Sequence, residues 1–257
     1  MNLNKLSCLT LAVSMILTGC SVFQSGSNDA KAVAVEPAPD AGFIQHPERQ
    51  SVHADLPFQK VWIKPGFNSA KYKEIIISPV NTDYMLRMDW LHSITAADVI
   101  GDVKKDTAEL ALYFHNQIIK NFEEDPNHRF TVIQYASKLK NPALQLEIAL
   151  IEIDPSASVL HALSWAGPIG TGSAVGAVNQ RRAAFEARLR DKQTGEVVAT
   201  FADRDMQDVG PIDLTRLTWY GPAKGIMDRW AQQFVQIANR KPGEIISDPT
   251  AFTVRPF

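Results

Sequence analysis

The residues that could do covalent or metal chemistry in this chain are few and scattered. Its 257 residues hold two cysteines, Cys8 and Cys20, and six histidines, at positions 46, 53, 92, 115, 128 and 161. None of the histidines forms an HxxxH pair or an HExxH motif, so no predicted helix presents the paired imidazoles that hold zinc. His115 lies one residue from an apolar helical stripe and reads as a helix-face or packing residue. Glu123-Glu-Asp-Pro-Asn-His128 has enough oxygens for calcium but lacks the alternating D-x-D-x-D-G pattern, and reads as a solvated helix end. Asp203 and Asp205 share one face of a predicted strand near its end, where acids are commonly just solvated. Gly170, Gly172 and Gly176 are spaced GxGxxxG rather than GxGxxG, with no strand running into them. Gly172-Ser-Ala-Val-Gly176 places its serine one position early for GxSxG. No residue is assigned a catalytic role, and neither a cofactor nor a metal is expected. The members of a triad need to be adjacent only in space, but nothing in the sequence asks for one.

Cys20 is the exception, because its setting is specific. Lys5 gives a short positive start, and Leu6 to Leu17 form an apolar run of about a dozen residues, which suits a secretory signal. It is too short to cross the hydrocarbon core, which takes about 20 apolar residues as a helix. The run ends Leu17-Thr18-Gly19-Cys20, which resembles the lipobox of bacterial lipoproteins. That resemblance implies cleavage between Gly19 and Cys20, with diacylglycerol on the Cys20 sulfur and acylation of the new amine. Two or more chains anchor stably where one holds only marginally. Ser21 follows where an Asp would favour retention in the inner membrane, so the resemblance further implies the outer membrane.

Charge excludes some partners. With 26 basic and 28 acidic residues the chain is nearly neutral, and cleavage would remove only Lys5 from that balance. Nothing electrostatic argues for nucleic acid or for polybasic adhesion to membranes. After cleavage Cys20 alone remains and is lipidated, so no disulfide is expected. Roughly 215 folded residues, at 45% hydrophobic content, can bury one substantial core.

The expected organisation follows from these pieces. Residues 1–19 form the signal, 20–40 the lipidated cysteine and a Ser-, Ala- and Pro-rich tether, and 41–257 a single periplasmic domain. The tether spans about 25 Å as a flexible chain. Residues 41–70, punctuated by Pro47, Pro57 and Pro65-Gly66, read as extended and loop-rich, with Val61-Trp62-Ile63 a short apolar piece. Strands are predicted over 72–80, 130–135, 144–153, 181–190 and 197–205. In 181–190, Phe185, Ala187 and Leu189 are expected to face inward and Glu186, Arg188 and Arg190 outward. Asp191-Lys-Gln-Thr-Gly-Glu196 reads as a hairpin turn, with Gly195 suited to the left-handed region. Thr95-Ala-Ala-Asp98 and Asp106-Thr-Ala-Glu109 both look like capping boxes. The second is expected to open a helix to about Phe122, with Leu110, Phe114, Ile118 and Phe122 at helical spacing. Another helix runs from Gly221-Pro222 to about Asn239, burying Ile226, Met227, Trp230 and Phe234. The fold class expected is α+β: a mainly antiparallel sheet of about five strands with two main helices packed on one face.

Residues 155–180 contain no Asp, Glu, Lys or Arg. A long uncharged connection is either packed onto the domain or exposed as an interaction surface. On the second reading Leu160, Leu163 and Trp165 are the partner-binding residues, with Trp165 as anchor because interface hot spots favour Trp.

The motifs Ala41-Gly-Phe-Ile44, Val61-Trp-Ile-Lys-Pro-Gly-Phe67, Tyr72-Lys-Glu-Ile-Ile-Ile-Ser-Pro-Val80, the turn 191–196, and Trp219-Tyr-Gly-Pro-Ala-Lys224 leading to Trp230-Ala231 resemble a family of uncharacterised proteobacterial lipoproteins, domain of unknown function 3313. The family has no assigned activity, so the resemblance implies fold and location and transfers no catalytic residue. The leading expectation is a non-enzymatic outer-membrane lipoprotein, facing the periplasm, that serves as an accessory or scaffold for another envelope protein. The alternatives are a lipid or small-molecule binding domain using a cleft between sheet and helices, a hydrolase with a dispersed site, and a homo-oligomeric ring subunit.

Overall fold

Two chain segments decide the topology, one shorter and one longer than the sequence pattern suggests. The computed structural model describes residues 35–85, 97–153, 182–206 and 221–248. The strands are β1 (Lys60–Ile63), β2 (Glu74–Ile77), β3 (Thr131–Val132), β4 (Ala143–Ile153), β5 (Arg182–Asp191) and β6 (Val197–Met206), and the main helices are α1 (Ala97–Glu123) and α2 (Gly221–Asn239). The sheet order is β1-β6-β5-β4-β2-β3. Its β1/β6, β6/β5 and β5/β4 ladders are antiparallel, while β4/β2 and β2/β3 are parallel.

The expected sheet of about five mainly antiparallel strands is therefore a mixed sheet of six. The sixth strand, β1, lies between Pro57 and Pro65 and is only four residues long. It forms because it pairs with β6, Val61 opposite Phe201, and nothing local to it announces that partner. The parallel part has a topological cause. Helix α1 lies between β2 and β3, and a strand returning after a crossover helix lies parallel to the one before it. Both helices were anticipated; the direction they impose was not.

Helix α1 also begins at Ala97, not at Asp106. Asp106-Thr-Ala-Glu109 lies inside it, since a capping-box spacing of residue types can recur mid-helix without capping anything. The stripe Leu110, Phe114, Ile118 and Phe122 is buried as expected, as are Ile226, Met227, Trp230 and Phe234 of α2. Both helices pack on one face of the sheet, in a core with Leu144, Leu146, Phe185 and Phe201. Aromatic rings fill its centre: Phe185 meets Trp230 edge-on at 4.7 Å and Phe58 at 5.2 Å, contacts worth about 0.5–1.5 kcal/mol each beyond their area.

The opposite face of the sheet is covered too. Ala38, Phe43 and Ile44 pack on Ala149, Ile151, Ala184 and Ala202, so β4 to β6 are buried on both sides over much of their length. Residues 35–40, within the segment read as tether, are described and seated here, with the Ala38 N–H donating to Gln59 Oε1 at 3.0 Å. The 191–196 hairpin is as expected, with Gly195 at φ +74°. Asp191 accepts the N–H groups of Gln193 and Thr194 and the Tyr72 hydroxyl, the last at 2.7 Å.

Candidate functional site

At the hairpin end of the sheet the two layers do not close. Leu144 and Leu146 at the start of β4, Leu189 at the end of β5, and Ala199 and Phe201 of β6 form a floor. Phe234, Ile237 and Ala238 in the last turns of α2, with Phe122 ending α1, form the roof. Between them lies a cleft of about 370 Å³. The layers part here because α1 and α2 both end above this edge, and the segment after α2 turns away at Pro242 and Gly243, whose φ is +81°. Ile63, 38% exposed on edge strand β1, and Phe67 stand at one side of the mouth.

Among the described residues the polar groups of the lining are Ser69, Arg240 and Lys241, at the mouth, with the carboxylates of Asp55 and Glu244 beside the two cations. Arg240 is fixed: its guanidinium pairs with the Asp55 carboxylate, and Nε donates to the Glu244 carbonyl at 2.7 Å. Lys241 is exposed, and its ammonium makes no ion pair with any described residue. An apolar concavity with a few polar groups at its rim is the usual form of a small-molecule site.

A second feature lies deeper. Asp203 is 3% exposed on the helix side of β6. Its Oδ2 accepts the Trp230 indole N–H at 2.8 Å, and its Oδ1 accepts the Gln59 N–H at 3.1 Å. Burial pushes its carboxyl up to about 7 against the lowering effect of those two bonds, and the charges of Asp205 and Asp248 add to the rise. Asp248 is raised as well, by burial and then by Asp205. Asp205 is paired with Arg229. The expectation that Asp203 is simply solvated is wrong. It falls in alternation with Ala199 and Phe201 on the core face, and that parity was the available signal.

Glu186 corrects a second expectation. It does point away from the helices, but it is 1% exposed. Its carboxylate accepts the backbone N–H groups of Ala41, Phe43 and Ile44, at 2.8 to 3.2 Å. Burial nevertheless leaves its carboxyl above the ordinary range. Arg188 lies over the Phe43 ring at 4.1 Å and donates to the Phe43 carbonyl. Nothing local to β5 announces that residues 41–44 return to cover it.

The remaining candidates resolve into structural roles. Asp125, in the acidic run once weighed for calcium, has both oxygens occupied by N–H donors from Asn127, Arg129 and Asn239. It ties the end of α1 to the end of α2. His115 bonds the Ser78 carbonyl at 3.1 Å, in keeping with a packing role. Among the described residues no three His, Cys, Asp or Glu side chains are placed to hold a metal, and no helix is long and apolar enough to cross a membrane. Gly19 and Cys20, the three glycines of 170–176, and Leu160, Leu163 and Trp165 lie outside the described residues.

The cleft lining and the buried carboxylates fall largely within one segment of known pattern. The family described as Protein of unknown function (DUF3313) matches residues 48–234. The chain belongs to that family. No curated protein matches it. Among solved structures it is similar to a PelC dodecamer from Paraburkholderia phytofirmans, at 8% identity and TM-score 0.37 over 69% of this chain and 97% of that one. It is also similar to a hypothetical protein from Chlamydia trachomatis, at 10% identity and TM-score 0.35 over 65% and 96%. A third is a DUF330-family protein from Xanthomonas campestris, at 8% identity and TM-score 0.36 over 72% and 94%.

Proposed function

We propose that this chain is a non-enzymatic, lipid-anchored module of the outer membrane whose periplasmic domain binds an apolar ligand between its sheet and α2. The cleft carries this reading. Its volume, about 370 Å³, falls in the range of about 300–1,000 Å³ typical of ligand pockets. The cleft is open at its mouth, so water reaches it, but water is a poor filler, because each buried water wants about three polar partners and the inner walls are Leu, Ile and Phe. An alkyl chain makes the apolar contacts that water there does not. Each buried methylene contributes about 0.8 kcal/mol, so a chain of about ten outweighs association costs of at least about 4 kcal/mol.

The Cys20 lipobox supports the location, since it would hold the domain beside a leaflet rich in such chains. The scaffold reading draws its residues, Leu160, Leu163 and Trp165, from outside the described structure, so the cleft gives the binding reading the geometric support that the scaffold lacks. The test is solvent extraction of the full chain purified from membranes, with mass spectrometry of what leaves it. One apolar ligand per chain is expected from the wild type, and none from Ala238→Trp, which fills the cleft from its roof. Equal recovery from both proteins would refute the proposal.

A further inference from the structure

We infer that the ligand of the cleft is a single-chain amphiphile with an anionic head, its chain among Leu144, Leu146 and Phe234 and its head at Lys241; this rests on the apolar-cleft reading. The charge at the mouth carries the inference. Among the described residues two charged ones line the cleft, Arg240 and Lys241, and both are cationic. Arg240 is occupied by Asp55 and the Glu244 carbonyl. Lys241 is different. Its backbone N–H donates to Glu244 Oε2 at 2.8 Å, which fixes the main chain, while its ammonium has no ion-pair partner among the described residues. Ser69, across the mouth, uses its carbonyl to accept from Arg129 and leaves its hydroxyl available as a second donor. With the Asp55 and Glu244 carboxylates beside these two residues, what the mouth offers a head group is the Lys241 ammonium and the Ser69 hydroxyl.

Size sets the number of chains. A volume of about 370 Å³ lies at the low end of the roughly 300–1,000 Å³ of small-molecule sites, which suits one medium-length chain better than the two of a diacyl lipid. The two cations have a rival use, since positive charge just beyond a helix C-terminus complements the partial negative charge of its last carbonyls. For that reason the test reads head-group selectivity and not stability.

The experiment uses the full chain in lipid nanodiscs and photolabels of equal chain length. Diazirine-bearing dodecanoic acid, dodecyl phosphate, dodecanol and dodecylamine are each irradiated with it, and the labelled peptides are mapped by mass spectrometry. The inference predicts that both anions label peptides covering 63–75 and 234–242 about two- to five-fold more than the alcohol, the scale of one exposed ion pair, and that the amine labels least. Lys241→Glu, a substitution at an exposed position whose melting curve serves as the folding control, should abolish that preference while alcohol labelling persists. Preference for the carboxylate over the phosphate would point to a free fatty acid, and the reverse to a lysophospholipid; either result upholds the inference. Equal cleft labelling by acid and alcohol, unaltered in Lys241→Glu, would overturn the anionic head and leave the apolar cleft standing. Labelling by none of the four in these peptides would overturn both.

Discussion

Replacing Asp203 with Asn should change how the fold responds to pH more than it changes the fold. The folded protein holds the Asp203 proton up to about pH 7, because the carboxyl is buried beneath Trp230. The unfolded chain releases it near the ordinary aspartate value of about 3.9. Between those two points the folded state binds more protons than the unfolded one, so stability falls as pH rises through the window and levels off above about 7. A tenfold difference in proton affinity is worth about 1.4 kcal/mol, so ionised Asp203 costs the fold about 4 kcal/mol in full. About 3 kcal/mol of that is lost between pH 5 and pH 8. Asparagine never ionises, but its single oxygen can accept from only one of Trp230 and Gln59, and its amide NH2 must face the other donor. That mismatch carries a pH-independent penalty of about 1–3 kcal/mol. Glu186, also raised by burial, tilts both proteins in the same direction and cancels in the comparison, whereas Asp248, whose charge acts on Asp203, cancels only in part. Urea or thermal melts of wild type and Asp203→Asn should therefore diverge with pH, the variant gaining about 3 kcal/mol relative to wild type between pH 5 and 8. At roughly 2–4 °C per kcal/mol for a domain of this size, that is about 6–12 °C in the difference of Tm. Parallel curves for the two proteins would refute the reasoning, because Asp203 would then carry the same charge throughout.

Three further outcomes test other parts of the account. Glu186→Ala leaves the N–H groups of Ala41, Phe43 and Ile44 without their acceptor; a loss of about 2–4 kcal/mol is expected, with protease cleavage appearing within 35–44 before the rest of the domain is cut. Asp125→Ala removes the acceptor shared by the turn after α1 and by Asn239 of α2, and should lower stability by about 2–3 kcal/mol without altering ligand recovery at the cleft. Cys20→Ser should leave the detergent phase and lose the mass of the lipid; if it stayed there with the mass of the wild type, the lipobox reading would be wrong.

What the sequence made legible follows the range of the interaction involved. Helix α2 was readable to both ends, because Gly221-Pro222, the apolar spacing and Pro242 are all local signals. The β5–β6 hairpin was equally plain from alternation and the Gly195 turn. Strand β1 was missed, since four residues between two prolines become a strand only when β6 lies alongside. The sheet direction was missed because α1 was read as a helix and not as a crossover. Asp203 was legible in principle, by its alternation with Phe201. Glu186 was not, because its partners lie more than 140 residues away along the chain. The cleft was hardest of all. Its walls come from five strands, two helix ends and the loops between them, and each wall residue reads locally as ordinary core. Only Lys241, a cation just past a helix end, could have drawn notice, and helix electrostatics already accounts for a cation there.

The most direct measurement is a crystal structure of the wild-type chain grown with dodecanoic acid brominated at its terminal carbon, read by anomalous scattering at the bromine edge. The account predicts one bromine peak per chain, enclosed by Leu144, Leu146, Phe201 and Phe234. A cleft without bromine, or bromine bound only elsewhere on the molecule, would contradict it.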